Sequence, residues 1–251
     1  MMQRDGFVVF DHDAGVQRWA QTAYGHVPDV HSDRSVPQDQ LRHGRTWFVG
    51  LDALPNDDAG TVDGVPLTGP WQAHVPDMAL HRAQLSVVYP GYPLQDAGES
   101  PGNHRFRITR KAAHVDGLLP VGVHKRRFAQ ELHAYILGIP LHDCAAAPTV
   151  VWRGSHVIMQ RALKDAIGGR NPGQVDVTEA YQNARRHVFE TCEMVPLTMT
   201  VGQAALIHRF ALHGTEVWAS DASTVNETHR AIAFFRPAYS DGRDWLGGSF
   251  S

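Results

Sequence analysis

Apolar residues in this chain come in short runs that glycine and proline keep interrupting, and this punctuation constrains the fold more than any other feature. Residues 6–10, 47–51, 85–89, 194–201 and 231–235, with Thr149–Trp152 and Ala204–His208, are each four to eight residues long. Their length and their β-branched and aromatic content fit strands rather than helices. Pro55-Asn56-Asp57-Asp58, Pro90-Gly91-Tyr92-Pro93 and Pro140 close individual runs. Helical periodicity is confined to two places. One is Ala14–Tyr24, which Asp13 caps and which carries Val16, Trp19, Ala20 and Ala23 on one face. The other is an insert at 156–187, with a helix Ser155–Ile167 capped by Ser155 and stopped by Gly168-Gly169, and a second over 178–187. Strands not separated by helices lack the rhythm of a parallel sheet. The expected fold is therefore mainly β, a cupin-like jelly roll or double-stranded β-helix with flanking α-helices. No repeat, low-complexity tract or linker divides the chain, so residues 1–251 are expected to form one domain.

Composition excludes several classes of function. The formal charge is -3, and no basic run exceeds Lys125-Arg126-Arg127, which argues against nucleic acid as a partner. Cys144 and Cys192 are the only cysteines, too few for a disulfide scaffold or a cysteine-rich zinc site, and a reducing, cytoplasmic setting is expected. The N-terminus has no apolar stretch of the kind a signal peptide needs. No run approaches the ~18 apolar residues of a membrane span.

The chemistry begins at His114-Val115-Asp116. Residues 105–111 alternate, with Phe106 and Ile108 on one face, and predict a strand leading into it. In extended chain the histidine and the aspartate point the same way, as two ligands to one metal must. The three letters alone are weak. With 16 histidines and 26 acidic residues in 251 positions, chance supplies about two such matches. The second match, His31-Ser32-Asp33, follows no strand and lies in a polar, turn-rich stretch. Discrimination comes from a distal segment, Ile207-His208-Arg209-Phe210-Ala211-Leu212-His213-Gly214-Thr215, and from Arg230 at the start of the next strand. A second histidine, His208 or His213, would complete the two-histidine, one-carboxylate set that binds Fe(II) and leaves positions open for a cosubstrate and O₂. An arginine at 230 has the geometry to hold a carboxylate in a bidentate pair, and 2-oxoglutarate offers one at its far end.

The ordered set resembles the phytanoyl-CoA dioxygenase family of Fe(II)/2-oxoglutarate oxygenases. Its elements are Asp5-Gly6-Phe7-Val8-Val9, His114-Val115-Asp116, the alternating run 133–140, Gly154-Ser155-His156, His213-Gly214-Thr215 and Arg230. They span most of the chain. The sequence departs from the family's pattern at Ala113 and in the long segment between His213 and Arg230, for which Arg236 is the alternative anchor. The resemblance implies a catalytic metal set of His114, Asp116 and His213, with His208 a core residue. It implies Arg230 on the distal carboxylate of 2-oxoglutarate, with Thr215 and Tyr135 as further cosubstrate contacts and His133 on the face of Tyr135. The turn at His156 is read as structural, and Lys125-Arg126-Arg127 as a solvated loop. The implied reaction is hydroxylation of an unactivated C–H of a small molecule, with release of succinate and CO₂ from 2-oxoglutarate and O₂. The carboxylate of Asp116 is the ligand that related halogenases lack. Two other classes remain: a metalloenzyme of the same fold that does not use 2-oxoglutarate, and a non-catalytic binding protein.

Overall fold

A computed structural model describes residues 1–28, 37–219 and 226–248; the motif His31-Ser32-Asp33 lies outside them. The described strands are β1 (Phe7–Phe10), β2 (Leu41–Arg42), β3 (Trp47–Phe48), β4 (Gln84–Val88), β5 (Leu118–Val121), β6 (Arg126–Ala129), β7 (Tyr135–Pro140), β8 (Thr149–Trp152), β9 (Met194–Leu197), β10 (Ala204–His208), β11 (His213–Thr215) and β12 (Arg230–Phe235). The helices are α1 (Met2–Asp5), α2 (Ala14–Tyr24), α3 (Pro101–Thr109), α4 (Ser155–Ile167), α5 (Thr178–Thr191) and α6 (Gly242–Gly247).

Seven strands form one sheet in the order β1-β10-β7-β12-β4-β3-β2, and three form a second, β11-β8-β9. Each of these pairings is antiparallel. The strand period of two sorts the core into layers. On one face of the large sheet, Leu137, Ile139, Leu206, Ala231, Ala233 and Phe235 pack against Trp19, Ala20 and Ala23 of α2. On the other face, Ile136, Ala205 and Ile207 meet Val151, Leu197 and Met199 from the small-sheet side. Val150 and Trp152 turn outward from the small sheet to Met159, Leu163 and Ile167 of α4 and Tyr181 and Val188 of α5. Helices thus cover the outer faces of two antiparallel sheets, the arrangement of a jelly roll, but the two sheets are not joined into a closed barrel.

Helix α2 follows its sequence closely. Asp13 accepts hydrogen bonds from the N–H groups of Gly15 and Val16 and so caps the first turn, and the four expected residues are the buried ones. Trp19 is fully buried and its indole N–H donates to the Gly60 carbonyl at 2.7 Å.

Other expectations need correction. The run 105–111 is not a strand, because Pro101–Thr109 is helical. Ser100 caps that helix by accepting from the Asn103 N–H at 3.2 Å, and Pro101 occupies its first turn. These local signals outweigh a seven-residue alternation. His133 lies outside β7 and forms a single bridge to Ala238. Ser155 does not cap α4. Gly154 stands there in the left-handed region at φ 75°, and the Ser155 hydroxyl accepts instead from the Leu212 N–H at 2.8 Å. The hairpin of β5 and β6 has no counterpart in the sequence reading. It places Arg126 against Asp176 and Glu179, so the basic run is a paired strand end rather than a free loop. No helix among the described residues is long and apolar enough to cross a membrane.

Candidate metal centre

Two backbone segments meet to build the site. After α3 the chain turns through Lys111 and Ala112, both at positive φ, and reaches His114 in extended form. There it exchanges two hydrogen bonds with the first residue of β11. The His114 N–H donates to the His213 carbonyl at 2.9 Å, and the His213 N–H to the His114 carbonyl at 3.1 Å. Residues directly opposite in such a pair carry their side chains on the same face, and the two imidazole centroids lie 4.6 Å apart. Asp116, two residues beyond His114, joins them. The approach demands glycine at 214, where a Cβ would lie 2.1 Å from the Lys111 carbonyl oxygen. Gly117 is held at φ 79°, with the Glu131 carbonyl oxygen 2.1 Å from where its Cβ would be.

The side chains converge on one carboxylate oxygen. The Nε2 of His114 lies 3.0 Å from Asp116 Oδ1, and that of His213 lies 3.6 Å from the same atom. The far nitrogen of each ring is also fixed. Nδ1 of His114 faces the Ala112 carbonyl at 3.0 Å, and Nδ1 of His213 faces the Ala211 carbonyl at 2.9 Å. A carbonyl oxygen only accepts, so each Nδ1 carries a proton and each Nε2 is the ring atom turned to Asp116. This is the outer support that metal-bound histidines have. Asp116 and His213 are largely buried and His114 is half-exposed. Desolvation opposes the charge on Asp116, but His213 and His114 outweigh it and hold the carboxyl well below its usual range. At His114 desolvation favours the neutral ring, while the hydrogen bond and charge of Asp116 raise its pKa above the ordinary value.

The triad lies in a cavity of about 400 Å³ whose apolar wall includes Trp47, Tyr92, Ile136 and Phe234. Thr215 lines it beside His213, and so does Thr149, whose buried hydroxyl has no hydrogen-bond partner. Thr149 was missed in the sequence, where nothing distinguishes it from a structural β-branched residue. A larger depression of about 700 Å³ lies over Tyr24, Tyr89 and Pro90, away from these ligands.

The remaining site candidates separate. Tyr135 is buried in the core on the α2 side of the large sheet, among the residues that surround Trp19. Its neighbour Ile136 faces the cavity. A one-residue step along a strand reverses the face, so Tyr135 and the triad lie on opposite sides of the sheet. His208 has the strand parity of Leu206, not of Ile207. Its Nδ1 accepts from the Phe210 N–H at 3.1 Å, and burial, with His156 and Arg209 nearby, pushes its pKa down to about 2. His156 meets the Gln3 carbonyl at 3.2 Å, a structural contact.

Both arginines of β12 and its extension share the parity of Phe234. Arg236 lines the cavity and its Nη1 lies 3.4 Å from Asp116 Oδ2. Arg230 is 3 % exposed, beside Tyr92 and Cys144, and burial pushes its pKa down to about 10. Its Nε and Nη1 have no hydrogen-bond partner among the described residues. A buried guanidinium without an anion is costly, and this one stands next to a cavity-lining tyrosine.

No family model matches the chain, and no curated protein matches it. The chain is similar to solved structures that include EctD from S. alaskensis with 2-oxoglutarate and 5-hydroxyectoine, at 15% identity and a TM-score of 0.45 over 94% of this chain and 73% of that one. HygX from Streptomyces hygroscopicus, with nickel, 2-oxoglutarate and hygromycin B bound, is 12% identical with a TM-score of 0.46, over 95% and 85% of the two chains. SnoK, a non-heme alpha ketoglutarate dependent carbocyclase from nogalamycin biosynthesis, is 12% identical with a TM-score of 0.47, over 96% and 86%.

Proposed function

We propose that this chain is an Fe(II)- and 2-oxoglutarate-dependent oxygenase of the phytanoyl-CoA dioxygenase type, acting as one cytoplasmic domain and hydroxylating a small molecule. The observation that carries the reading is the convergence of two Nε2 atoms on one Asp116 oxygen, with both Nδ1 protons committed to backbone carbonyls. With Nδ1 held by a carbonyl, each ring has Nε2 to offer to a divalent ion that Asp116 also binds. Two imidazoles and one carboxylate suit Fe(II) and leave positions open.

His114, Asp116 and His213 would hold the iron. When bound, iron and 2-oxoglutarate supply O₂ activation coupled to decarboxylation of the cosubstrate to succinate and CO₂. The chain's own residues bind, orient and exclude water. Arg230 supplies the missing counter-charge for the distal carboxylate of 2-oxoglutarate, and its unpartnered nitrogens favour this reading over a metalloenzyme that uses no such anion. Thr215 and the unpartnered Thr149 hydroxyl line the cavity and would donate to the cosubstrate. Arg236 restrains the second oxygen of Asp116 and so fixes the carboxylate that favours hydroxylation over halogenation. Trp47, Ile136 and Phe234 keep the cavity apolar where the substrate C–H must lie.

Anaerobic addition of Fe(II) and 2-oxoglutarate tests the proposal. The expected result is a weak visible charge-transfer band that saturates with 2-oxoglutarate. No band, together with no calorimetric binding of 2-oxoglutarate, refutes it.

A further inference from the structure

A second set of metal donors lies outside the triad, where two loops meet beside the cavity. A ring nitrogen of His43 and carboxylate oxygens of Asp96 and Glu99 lie within 4.8 Å of one another. Asp96 is held there by the backbone: it accepts the His43 N–H at 3.1 Å and the Gly44 N–H at 2.7 Å, with Oδ2 3.3 Å from His43 Nδ1. Glu99 gives one oxygen to Arg107 at 2.5 Å, and its other oxygen, Oε2, lies 3.6 Å from His104 Nδ1. The side chains of His43 and Glu99 are only 7% and 8% exposed. Yet His43 Nδ1, Glu99 Oε2 and His104 Nδ1 are buried with no hydrogen-bond partner. Buried polar atoms are rarely left so, and those of His43 and Glu99, which share one donor cluster, mark a missing ligand. With His43 neutral, the two carboxylates and Arg107 carry one net negative charge, so the ligand is a cation.

We propose that His43, Asp96 and Glu99 form a second divalent-metal site whose ion is zinc. One imidazole and two carboxylates match the nitrogen and oxygen donors of zinc, whereas calcium and magnesium take oxygen alone. The site is structural, since no donor of it lines the cavity. Its ion pins the wall of the first site: the His43 ring stacks on Trp47 at 5.5 Å and meets Tyr92 edge-on, Glu99 holds Arg107, and all three partners line the cavity.

The test counts zinc on chelator-stripped full-length chain dialysed against Zn(II) alone. The His114→Ala/His213→Ala variant, stripped of the first site, is expected to retain one zinc per chain, and adding Asp96→Asn/Glu99→Gln should abolish it. Asp96→Asn/Glu99→Gln in the otherwise native chain should lose one equivalent and weaken zinc affinity at that site at least 100-fold, with an unchanged circular dichroism spectrum. No zinc on a folded His114→Ala/His213→Ala chain, or zinc that survives Asp96→Asn/Glu99→Gln, overturns the proposal. Neither result depends on whether the first site uses 2-oxoglutarate.

Discussion

Arg230→Met separates an anchor from a structural cation, because the two roles move stability in opposite directions. Methionine keeps the apolar stem of the side chain and removes the charge. The guanidinium is held at about 10 by burial, against an ordinary value above 12. That depression corresponds to about 3 kcal/mol spent on keeping the charge desolvated. Replacing a buried, poorly paired ion with an apolar residue is commonly neutral or stabilising by about 1–4 kcal/mol. For a chain of this size each 1 kcal/mol moves Tm by about 2–4 °C. The ligand-free variant should therefore melt at the wild-type temperature or several degrees above it. The wild type with Mn(II) should gain about 2.7 kcal/mol, or about 5–10 °C, from 2-oxoglutarate at 100 times its Kd. In Arg230→Met that gain should vanish. Differential scanning fluorimetry with and without 2-oxoglutarate measures both quantities. A ligand-free Tm more than about 5 °C below wild type, with the 2-oxoglutarate shift intact, would show Arg230 to be structural. In that event the shift should vanish in Arg236→Met, the alternative anchor.

Asp116→Ala should abolish substrate-independent turnover of 2-oxoglutarate and free Arg236 from its contact; unchanged succinate release would remove Asp116 from the site. Gly214→Ala puts a Cβ 2.1 Å from the Lys111 carbonyl oxygen and should strain the pairing of His114 with His213. The expected cost is about 1–3 kcal/mol and at least a tenfold loss of metal affinity, read by urea unfolding and Co(II) titration. His208 makes stability acid-sensitive. Its folded pKa of about 2 lies below the ordinary value of 6.5, so between those limits only the unfolded chain takes up the proton. Stability from this group is complete above about pH 6.5 and declines as pH falls, by about 1.4 kcal/mol from pH 7.5 to 5.5. His208→Asn retains an acceptor for the Phe210 N–H but does not titrate; equal losses over that interval in variant and wild type would contradict the assignment.

Much of the framework is written locally. Asp13 as a cap and the burial of Val16, Trp19, Ala20 and Ala23 follow from spacing alone, as do the limits of Thr149–Trp152 and Ala204–His208. Strands without intervening helices led to the antiparallel jelly roll because a parallel partner needs a long crossover. The residue types of the candidate iron site, two histidines and a carboxylate, were also legible. Helix α3 was legible in principle, through Ser100 and Pro101, but a short alternation masked it.

Tertiary structure decided what periodicity cannot express. Alternation says that Tyr135 and Ile136 face opposite ways, but only the packing of α2 on one side shows that Tyr135 is the core residue and Ile136 the cavity wall. The unpartnered state of Arg230 and Thr149 depends on what other strands bring near them. The second donor cluster joins residue 43 to residues 96 and 99, which no spacing rule connects. Local sequence sets dihedral preference and period. Which faces close on each other, and which polar atoms are left there without partners, is fixed only when distant segments pack.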